Sequence, residues 1–148
     1  MNPSVPASVS QSAPVSIIIF GASGDLTLRK LVPALFSLYQ RGRLPQPLNI
    51  IGVARSPFTH EEFRNHLHGG VLEHATEDCD AESWAKFSAN IWYHAGDTQI
   101  DDDYVALDAF AREHEGEAAN RLYYMAVAPN LYVPIVEQLG KHGMVEEQ

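Results

Sequence analysis

Residues 17–30 read Ile-Ile-Ile-Phe-Gly-Ala-Ser-Gly-Asp-Leu-Thr-Leu-Arg-Lys, an apolar run followed by a turn that contains two glycines. The apolar run is typical of a buried strand, and it stops at Gly21. Gly24 follows, and a helical pattern begins after it. Glycines in such a turn let backbone N–H groups approach an anion, and the N-terminus of a helix favours negative charge. This order predicts a phosphate-binding turn.

Three further apolar segments, residues 49–54, 91–95 and 121–127, alternate with helical patterns along the chain. This alternation predicts successive βαβ units and therefore an α/β fold with a parallel sheet. Thr59 and Glu62 have the spacing of a capping box at the start of a helix. We expect that helix to break near Gly69 and Gly70, and we expect Asn130 to cap the last helix.

The composition limits the possible functions. A chain of 148 residues fits one domain, and a formal net charge of −9 argues against a general nucleic-acid or anionic-membrane surface. No apolar run approaches the roughly 18 residues of a membrane-spanning helix. Residues 1–15 are rich in Ser, Pro, Val and Ala and are expected to form a disordered tail.

The cysteine and histidine pattern predicts neither a disulfide nor a metal site. Cys79 is the only cysteine, which suggests a reducing compartment and a cytoplasmic location. The seven histidines show no metal-ligand spacing, and we expect them to be surface residues.

The end of the second predicted strand carries Arg55. In dinucleotide-binding folds an acidic residue at this place binds the ribose hydroxyls, whereas an arginine suits a 2′-phosphate. The alternative is that Arg55 is only an exposed loop arginine. The turn at Gly21 and Gly24 lacks the third glycine of the dinucleotide fingerprint, and it also lacks the Gly-Lys-Ser/Thr ending of a P-loop. We expect Asp25 to turn away from a bound phosphate and to order the turn through hydrogen bonds.

Three strings carry a resemblance to a known family: Gly-Ala-Ser-Gly-Asp-Leu at 21–26, Gly-Val-Ala-Arg-Ser at 52–56 and Asn-Arg-Leu-Tyr-Tyr-Met-Ala at 120–126. With Lys30, Pro33 and Pro129 they resemble the N-terminal part of the glucose-6-phosphate dehydrogenase family over roughly residues 17–139. The resemblance implies a Rossmann-like doubly wound parallel sheet, incomplete, with about four strands and flanking helices. It also implies NADP as the cofactor and residues 16–148 as the N-terminal part of the NADP-binding domain.

By position, the resemblance implies that the turn holds the pyrophosphate, that Arg55 holds the 2′-phosphate, that Asp97 lies near the adenine side and that Tyr132 lies near the nicotinamide end. The implied pyrophosphate residues are Gly21, Ala22, Ser23, Gly24, Asp25, Leu26, Thr27 and Leu28.

The activity that the resemblance implies is oxidation of glucose 6-phosphate to 6-phosphogluconolactone, the entry step of the oxidative pentose phosphate pathway. The family's strings Glu-Lys-Pro-Phe-Gly and Arg-Ile-Asp-His-Tyr-Leu-Gly-Lys-Glu, which supply the sugar-phosphate site and the histidine base, do not occur here. Because hydride transfer from a sugar hydroxyl needs a base, we expect this chain alone to be inactive and to contain no catalytic residue. Glucose 6-phosphate is expected to bind only to the full-length protein. The resemblance also implies that the full-length protein is a homo-oligomer.

Two alternatives remain open. The chain could be a stand-alone NADP-binding or regulatory module without catalysis, or part of a different NADP reductase that shares only the Rossmann half. The sequence beyond Gln148 would distinguish them, because the two missing strings would follow in a dehydrogenase.

Overall fold

The computed structural model describes residues 15–45, 48–75, 79–115 and 120–145. The predicted tail lies outside these residues except for Val15, which belongs to the first strand rather than to a tail. The elements are β1 (Val15–Phe20), a π-helical turn (Thr27–Leu31), α1 (Val32–Gln40), β2 (Leu48–Ala54), α2 (His60–His74), α3 (Ala81–Ser88), β3 (Ile91–Ala95), α4 (Asp101–Glu115), β4 (Asn120–Met125), a 3₁₀ turn (Pro129–Leu131) and α5 (Tyr132–Lys141).

The four strands form one parallel sheet in the order β3-β2-β1-β4. The chain leaves β1 first toward β2 and β3 on one side and later returns to β4 on the other side. The strand order therefore reverses next to β1, and in open α/β sheets the crevice at such a reversal is where ligands bind. The predicted α/β fold with a parallel sheet is confirmed.

Helices cover both faces of the sheet, because alternate residues of each buried strand point to opposite sides. On one face, β1 and β2 pack against α1, α2 and α3, and on the other face they pack against α4 and α5. The first cluster includes Ile19, Ile50, Phe36, Phe63 and Trp84, and the second includes Ile18, Phe20, Ile51, Tyr104 and Ile135. This arrangement confirms the doubly wound architecture. No helix in the described part of the chain has the length and apolar character needed to cross a bilayer.

The helix that follows the β1 turn changes its winding at Pro33. Residues Thr27–Leu31 are π-helical, and the regular α-helix begins at Val32 with Pro33 in its first turn. The Val32 N–H still donates to the Thr27 carbonyl, so the π-helical turn continues into α1 without a break. Pro33, which has no N–H, lies where the winding changes from π to α.

The predicted break at Gly69 and Gly70 is wrong, because α2 continues to His74. Gly70 packs against the turn after β1: a Cβ on Gly70 would lie 2.7 Å from the backbone oxygen of Leu28. The glycine thus serves close packing between two elements rather than helix termination. The predicted capping box is confirmed, since Thr59 Oγ1 accepts from the Glu62 N–H and Glu62 Oε1 accepts from the Thr59 N–H.

The predicted cap at Asn130 is also wrong. Asn130 lies inside the 3₁₀ turn that Pro129 begins, and α5 starts two residues later without a side-chain cap. Pro129, whose φ is fixed near the helical value, begins the turn before Asn130 can act as a cap.

The expectation that all histidines are surface residues is wrong for several of them. The ring of His60 packs against Trp92 and Phe110, and its Nδ1 accepts a hydrogen bond of 3.0 Å from the Tyr93 N–H. His142 stacks on Tyr104. Burial lowers the pKa of His60, with a smaller contribution from the positive charge of Arg64. These rings fill space between elements, a role that periodicity in the sequence does not indicate.

Candidate functional site

The carboxyl ends of all four strands surround a cleft of about 610 Å³. The cleft lies beside the point where the strand order reverses. The lining residues are Gly21, Ser23, Gly24, Val53, Ala54, Arg55, Ser56, Gly96, Asp97, Thr98, Gln99, Ala126, Val127 and Leu131.

Backbone hydrogen bonds extend the sheet into the rim of the cleft. The N–H groups of Gly21 and Ala22 both donate to the carbonyl of Val53, at 3.0 and 3.1 Å. On either side, Gly96 N donates to Ala54 O at 2.9 Å and Ala126 N donates to Phe20 O at 2.9 Å. The loops after the strands are therefore fixed to one another where they meet the cleft.

Gly21 is the tightest point of this rim. Its φ is +79°, a conformation that residues with a Cβ rarely adopt. A Cβ at this position would also overlap the backbone oxygen of Ala126 and approach Val127 Cγ1 within 2.8 Å. The lack of a side chain at Gly21 thus lets the exit of β4 pack directly against the turn after β1.

The turn after Gly21 winds directly into a helix. Gly24 N donates to Gly21 O at 3.1 Å, Thr27 Oγ1 donates to the same oxygen at 3.3 Å, and Leu28 N donates to Gly24 O at 3.1 Å. The first-turn N–H groups of a helix have no partner further back in the helix and carry a partial positive charge. The geometry is therefore suited to an anionic group.

Asp25 points away from the cleft, as expected. Its side chain is 82% exposed, and its carboxylate pairs with Arg29 at 3.4 Å. Among the described residues its partner is Arg29, one helical turn further on, and not the glycine turn that the sequence analysis predicts. An anion in the cleft would not meet this carboxylate.

Arg55 follows β2 and lines the cleft together with Ser56. Its side chain is exposed, and no hydrogen bond or ion pair joins its guanidinium to any of the described residues. Among the cleft-lining residues it is the only one with a permanent positive charge. It is therefore available to a negatively charged ligand.

Asp97 lies in the loop after β3, which is next to the end of β2. Its N–H donates to Asp103 Oδ2 at 2.7 Å, and its own Oδ1 accepts from the Gln99 N–H at 2.8 Å. The next residue, Thr98, has its carbonyl fixed by the hydroxyl of Tyr104 at 2.8 Å. These contacts hold the loop in a defined conformation beside the cleft.

The other residues implied by the resemblance lie outside the cleft lining. Ala22 and Thr27 are buried, and Leu28 lies over Gly70. Leu26 is exposed, and Tyr132 is 41% exposed at the start of α5. Gly21, Ser23, Gly24, Arg55 and Asp97 are the ones that the fold brings to the cleft.

His66 is a contact of the site that the sequence analysis missed. Its Nε2 lies 3.3 Å from the backbone carbonyl oxygen of Ser23, and its ring packs against Phe58. The signal was available: Thr59 fixes where α2 begins, so Phe63, His66 and Gly70 fall on one helical face. That face packs against the turn after β1.

Other missed residues lie in the loops that follow the strands. They are Ser56 after β2, Thr98 and Gln99 after β3, and Ala126, Val127 and Leu131 after β4. The rule that parallel strands end at one edge could have found them. Val127 was assigned to the fourth strand, which in fact ends at Met125.

The described residues contain no group of three or more His, Cys, Asp or Glu side chains that could hold a metal ion.

Comparison with known proteins gives the family. Residues 18–148 match the family model described as "Glucose-6-phosphate dehydrogenase, NAD binding domain". The chain belongs to the glucose-6-phosphate dehydrogenase family. It corresponds to the N-terminal, nicotinamide-dinucleotide-binding part of that family.

Members of the glucose-6-phosphate dehydrogenase family similar to this chain come from distant organisms. The enzyme named glucose-6-phosphate 1-dehydrogenase of Chlamydia muridarum is 34% identical over 149 residues, covering 97% of this chain and 28% of that protein. The one from Aggregatibacter actinomycetemcomitans is 38% identical and covers 88% of this chain and 27% of that protein. A relative from Arabidopsis thaliana, 37% identical over 82% of this chain and 22% of that protein, is named chloroplastic.

Solved structures of glucose-6-phosphate dehydrogenases share the fold. One, described as a complex with its substrate glucose-6-phosphate, superimposes with a TM-score of 0.78 at 33% identity, covering 93% of this chain and 28% of that one. The Mycobacterium avium structure gives a TM-score of 0.78 at 27% identity, covering 89% and 28%. This chain thus spans only 22–28% of the length of these relatives.

Proposed function

We propose that the cleft binds NADP, with the 2′-phosphate held by Arg55. The observation that carries this proposal is the exposed guanidinium of Arg55 at the end of β2, without a partner among the described residues and beside the glycine turn. A guanidinium can grip a phosphate with two parallel hydrogen bonds. An acidic residue at this place would instead favour NAD.

The remaining assignments follow the shape of the cleft. The turn at Gly21 and Gly24 receives the pyrophosphate, because both glycines line the cleft and the helix that follows favours its charge. Asp97 lies on the adenosine side, across the cleft from the glycine turn. Tyr132, which immediately follows the cleft residue Leu131, is assigned to the nicotinamide end.

The whole protein that contains this domain is proposed to oxidise glucose 6-phosphate to 6-phosphogluconolactone with reduction of NADP. The nicotinamide supplies the hydride acceptor when it is bound. The residues of this chain bind the coenzyme and orient it. We assign no catalytic base and no sugar-binding residue within residues 1–148, and we regard residues 16–148 as the N-terminal part of the coenzyme domain.

The setting of the whole protein is a further part of the proposal. A homo-oligomer is supported by the family resemblance. A cytoplasmic location is supported by the single cysteine, although a relative from Arabidopsis thaliana is named chloroplastic.

Coenzyme titration tests the proposal. The dissociation constants of NADP and NAD are measured by calorimetry for the wild type, Arg55→Ala and a control, Arg43→Ala, which removes an exposed arginine away from the cleft lining. A charge-assisted contact is worth about 1.5–3 kcal/mol, so Arg55→Ala is expected to lower the preference for NADP about ten- to hundredfold. Arg43→Ala should preserve the preference. If both variants keep the wild-type preference for NADP, the role assigned to Arg55 is wrong.

A further inference from the structure

The carbonyl of Ser56, next to Arg55 at the cleft rim, is held by two donors. The hydroxyl of Tyr93 donates to it at 2.5 Å, and the N–H of Phe58 donates to it at 3.1 Å. Pro57 lies between them, and its ring fixes φ in the range that such a three-residue turn requires. The backbone that carries Arg55 is therefore anchored immediately after the arginine.

Tyr93 is itself immobilised by its neighbours. It is only 4% exposed, and its ring lies 4.7 Å from that of Phe63 and 5.4 Å from that of Phe58. Phe63 fits there because position 52 is glycine: a Cβ on Gly52 would lie 2.7 Å from its ring carbon Cε2. Burial raises the pKa of Tyr93 to about 12, so its hydroxyl remains a donor at neutral pH.

No described residue forms a hydrogen bond or ion pair with the Arg55 side chain. The position of the guanidinium therefore depends on the backbone that this anchor fixes. An arginine with a mobile backbone loses more conformational freedom when it binds a phosphate than one whose backbone is already fixed. This additional entropic cost weakens the binding only of ligands that carry the phosphate.

We propose that Tyr93 is a positioning residue for coenzyme specificity: by fixing the Ser56 carbonyl, its hydroxyl orients Arg55 toward the 2′-phosphate. This inference rests on the proposed function of Arg55. It assigns a role in coenzyme choice to a buried tyrosine that lies outside the cleft lining.

The chain offers a matched control in the neighbouring loop after β3. Tyr104 is 2% exposed, its pKa is raised to about 12 chiefly by burial, and its hydroxyl donates to Thr98 O at 2.8 Å. It fixes the loop after β3, which carries no arginine. Tyr93→Phe and Tyr104→Phe therefore each remove one hydroxyl-to-carbonyl bond from a cleft loop while leaving the ring in place.

The test measures NADP and NAD dissociation constants by calorimetry for the wild type, both phenylalanine variants, Arg55→Ala and the double variant of Tyr93→Phe with Arg55→Ala. Loss of one hydrogen bond predicts that Tyr93→Phe lowers the NADP-over-NAD preference about three- to tenfold. Tyr104→Phe should change both affinities by the same factor. In the Arg55→Ala background, Tyr93→Phe should cause no further fall in preference.

The proposal is overturned if Tyr93→Phe keeps the wild-type preference, or if it lowers the preference equally with and without Arg55. A loss of preference in Arg55→Ala but not in Tyr93→Phe would refute this inference and leave the proposed function standing. A preference unchanged in Arg55→Ala would refute both.

Should Tyr93→Phe fail to fold, as circular dichroism would show, Pro57→Gly loosens the same turn with Tyr93 in place. The same selective loss is expected of Pro57→Gly, and its absence contradicts the proposal.

Discussion

Gly21 lies against the backbone carbonyl of Ala126, so closely that a Cβ on Gly21 would overlap the Ala126 oxygen. The contact joins the exit of β1 to the exit of β4, the two strands that flank the reversal in strand order. The position therefore admits only glycine for two independent reasons, the contact and a φ of +79°. The absence of a side chain at Gly21 therefore lets the exits of β1 and β4 pack together at the edge of the cleft.

Gly21→Ala is expected to destabilise the fold by about 3 kcal/mol, the sum of a left-handed conformation and an overpacked contact. Gly42→Ala is the matched control: its φ is +70°, but a Cβ there meets nothing within 4 Å. It should cost only the conformational part, about 1 kcal/mol. Urea unfolding followed by circular dichroism measures both values. Equal losses would show that the contact with Ala126 is unimportant.

The two adjacent glycines of α2 should respond in opposite directions to alanine. Gly69 has open space around it, so Gly69→Ala is expected to stabilise the protein by about 0.5–1 kcal/mol through helix propensity. Gly70 faces Leu28, so Gly70→Ala is expected to destabilise by about 1–3 kcal/mol. Thermal unfolding distinguishes them. Stabilisation by both changes would contradict the close packing of α2 on the turn after β1.

Replacing the largely buried Arg121 of β4 should destabilise the fold far more than replacing an exposed arginine that shares its partner. Arg121 is 12% exposed and binds Asp108 and Glu115, and Glu115 is itself only 5% exposed. Arg121→Met leaves these carboxylates without their buried partner and is expected to cost about 3 kcal/mol or more. Arg112, 69% exposed, also pairs with Asp108, and Arg112→Met should cost less than about 1 kcal/mol. Similar losses for the two variants in urea unfolding would contradict this account.

Stability should fall as the pH drops below about 6.5. Burial lowers the pKa of His60 and of His94 in the folded protein, whereas in the unfolded chain both titrate near 6.5. Below that pH the unfolded chain binds more protons than the folded one, so the free energy of unfolding decreases as the pH falls. His60→Gln should flatten the profile between pH 7 and pH 5. An unchanged profile in that variant would mean that His60 does not titrate on unfolding.

The sequence predicts the strands and their parallel arrangement because the buried runs and the breaks after them are local features. Thr59 behaves as expected for the same reason, since capping depends on neighbours in the chain. Arg55 was identified because it follows a strand directly. Local rules were sufficient for these features.

Features that depend on tertiary packing were missed. Gly70 looks like a helix breaker in the sequence, but it is a contact point for Leu28. His66 reaches Ser23, and Tyr93 reaches Ser56, only after α2 and β3 have docked against neighbouring elements. Their roles depend on distances between segments that are far apart in the sequence.

The central claim is that Arg55 recognises a 2′-phosphate, and two small ligands test it most directly. Adenosine 2′,5′-bisphosphate and adenosine 5′-monophosphate differ only in that phosphate, and neither reaches the nicotinamide end of the cleft. Calorimetry on the wild type should show at least about tenfold tighter binding of the bisphosphate, and Arg55→Ala should bind the two with nearly equal affinity. Equal binding of both ligands by the wild type, or an unchanged preference in Arg55→Ala, would contradict the account.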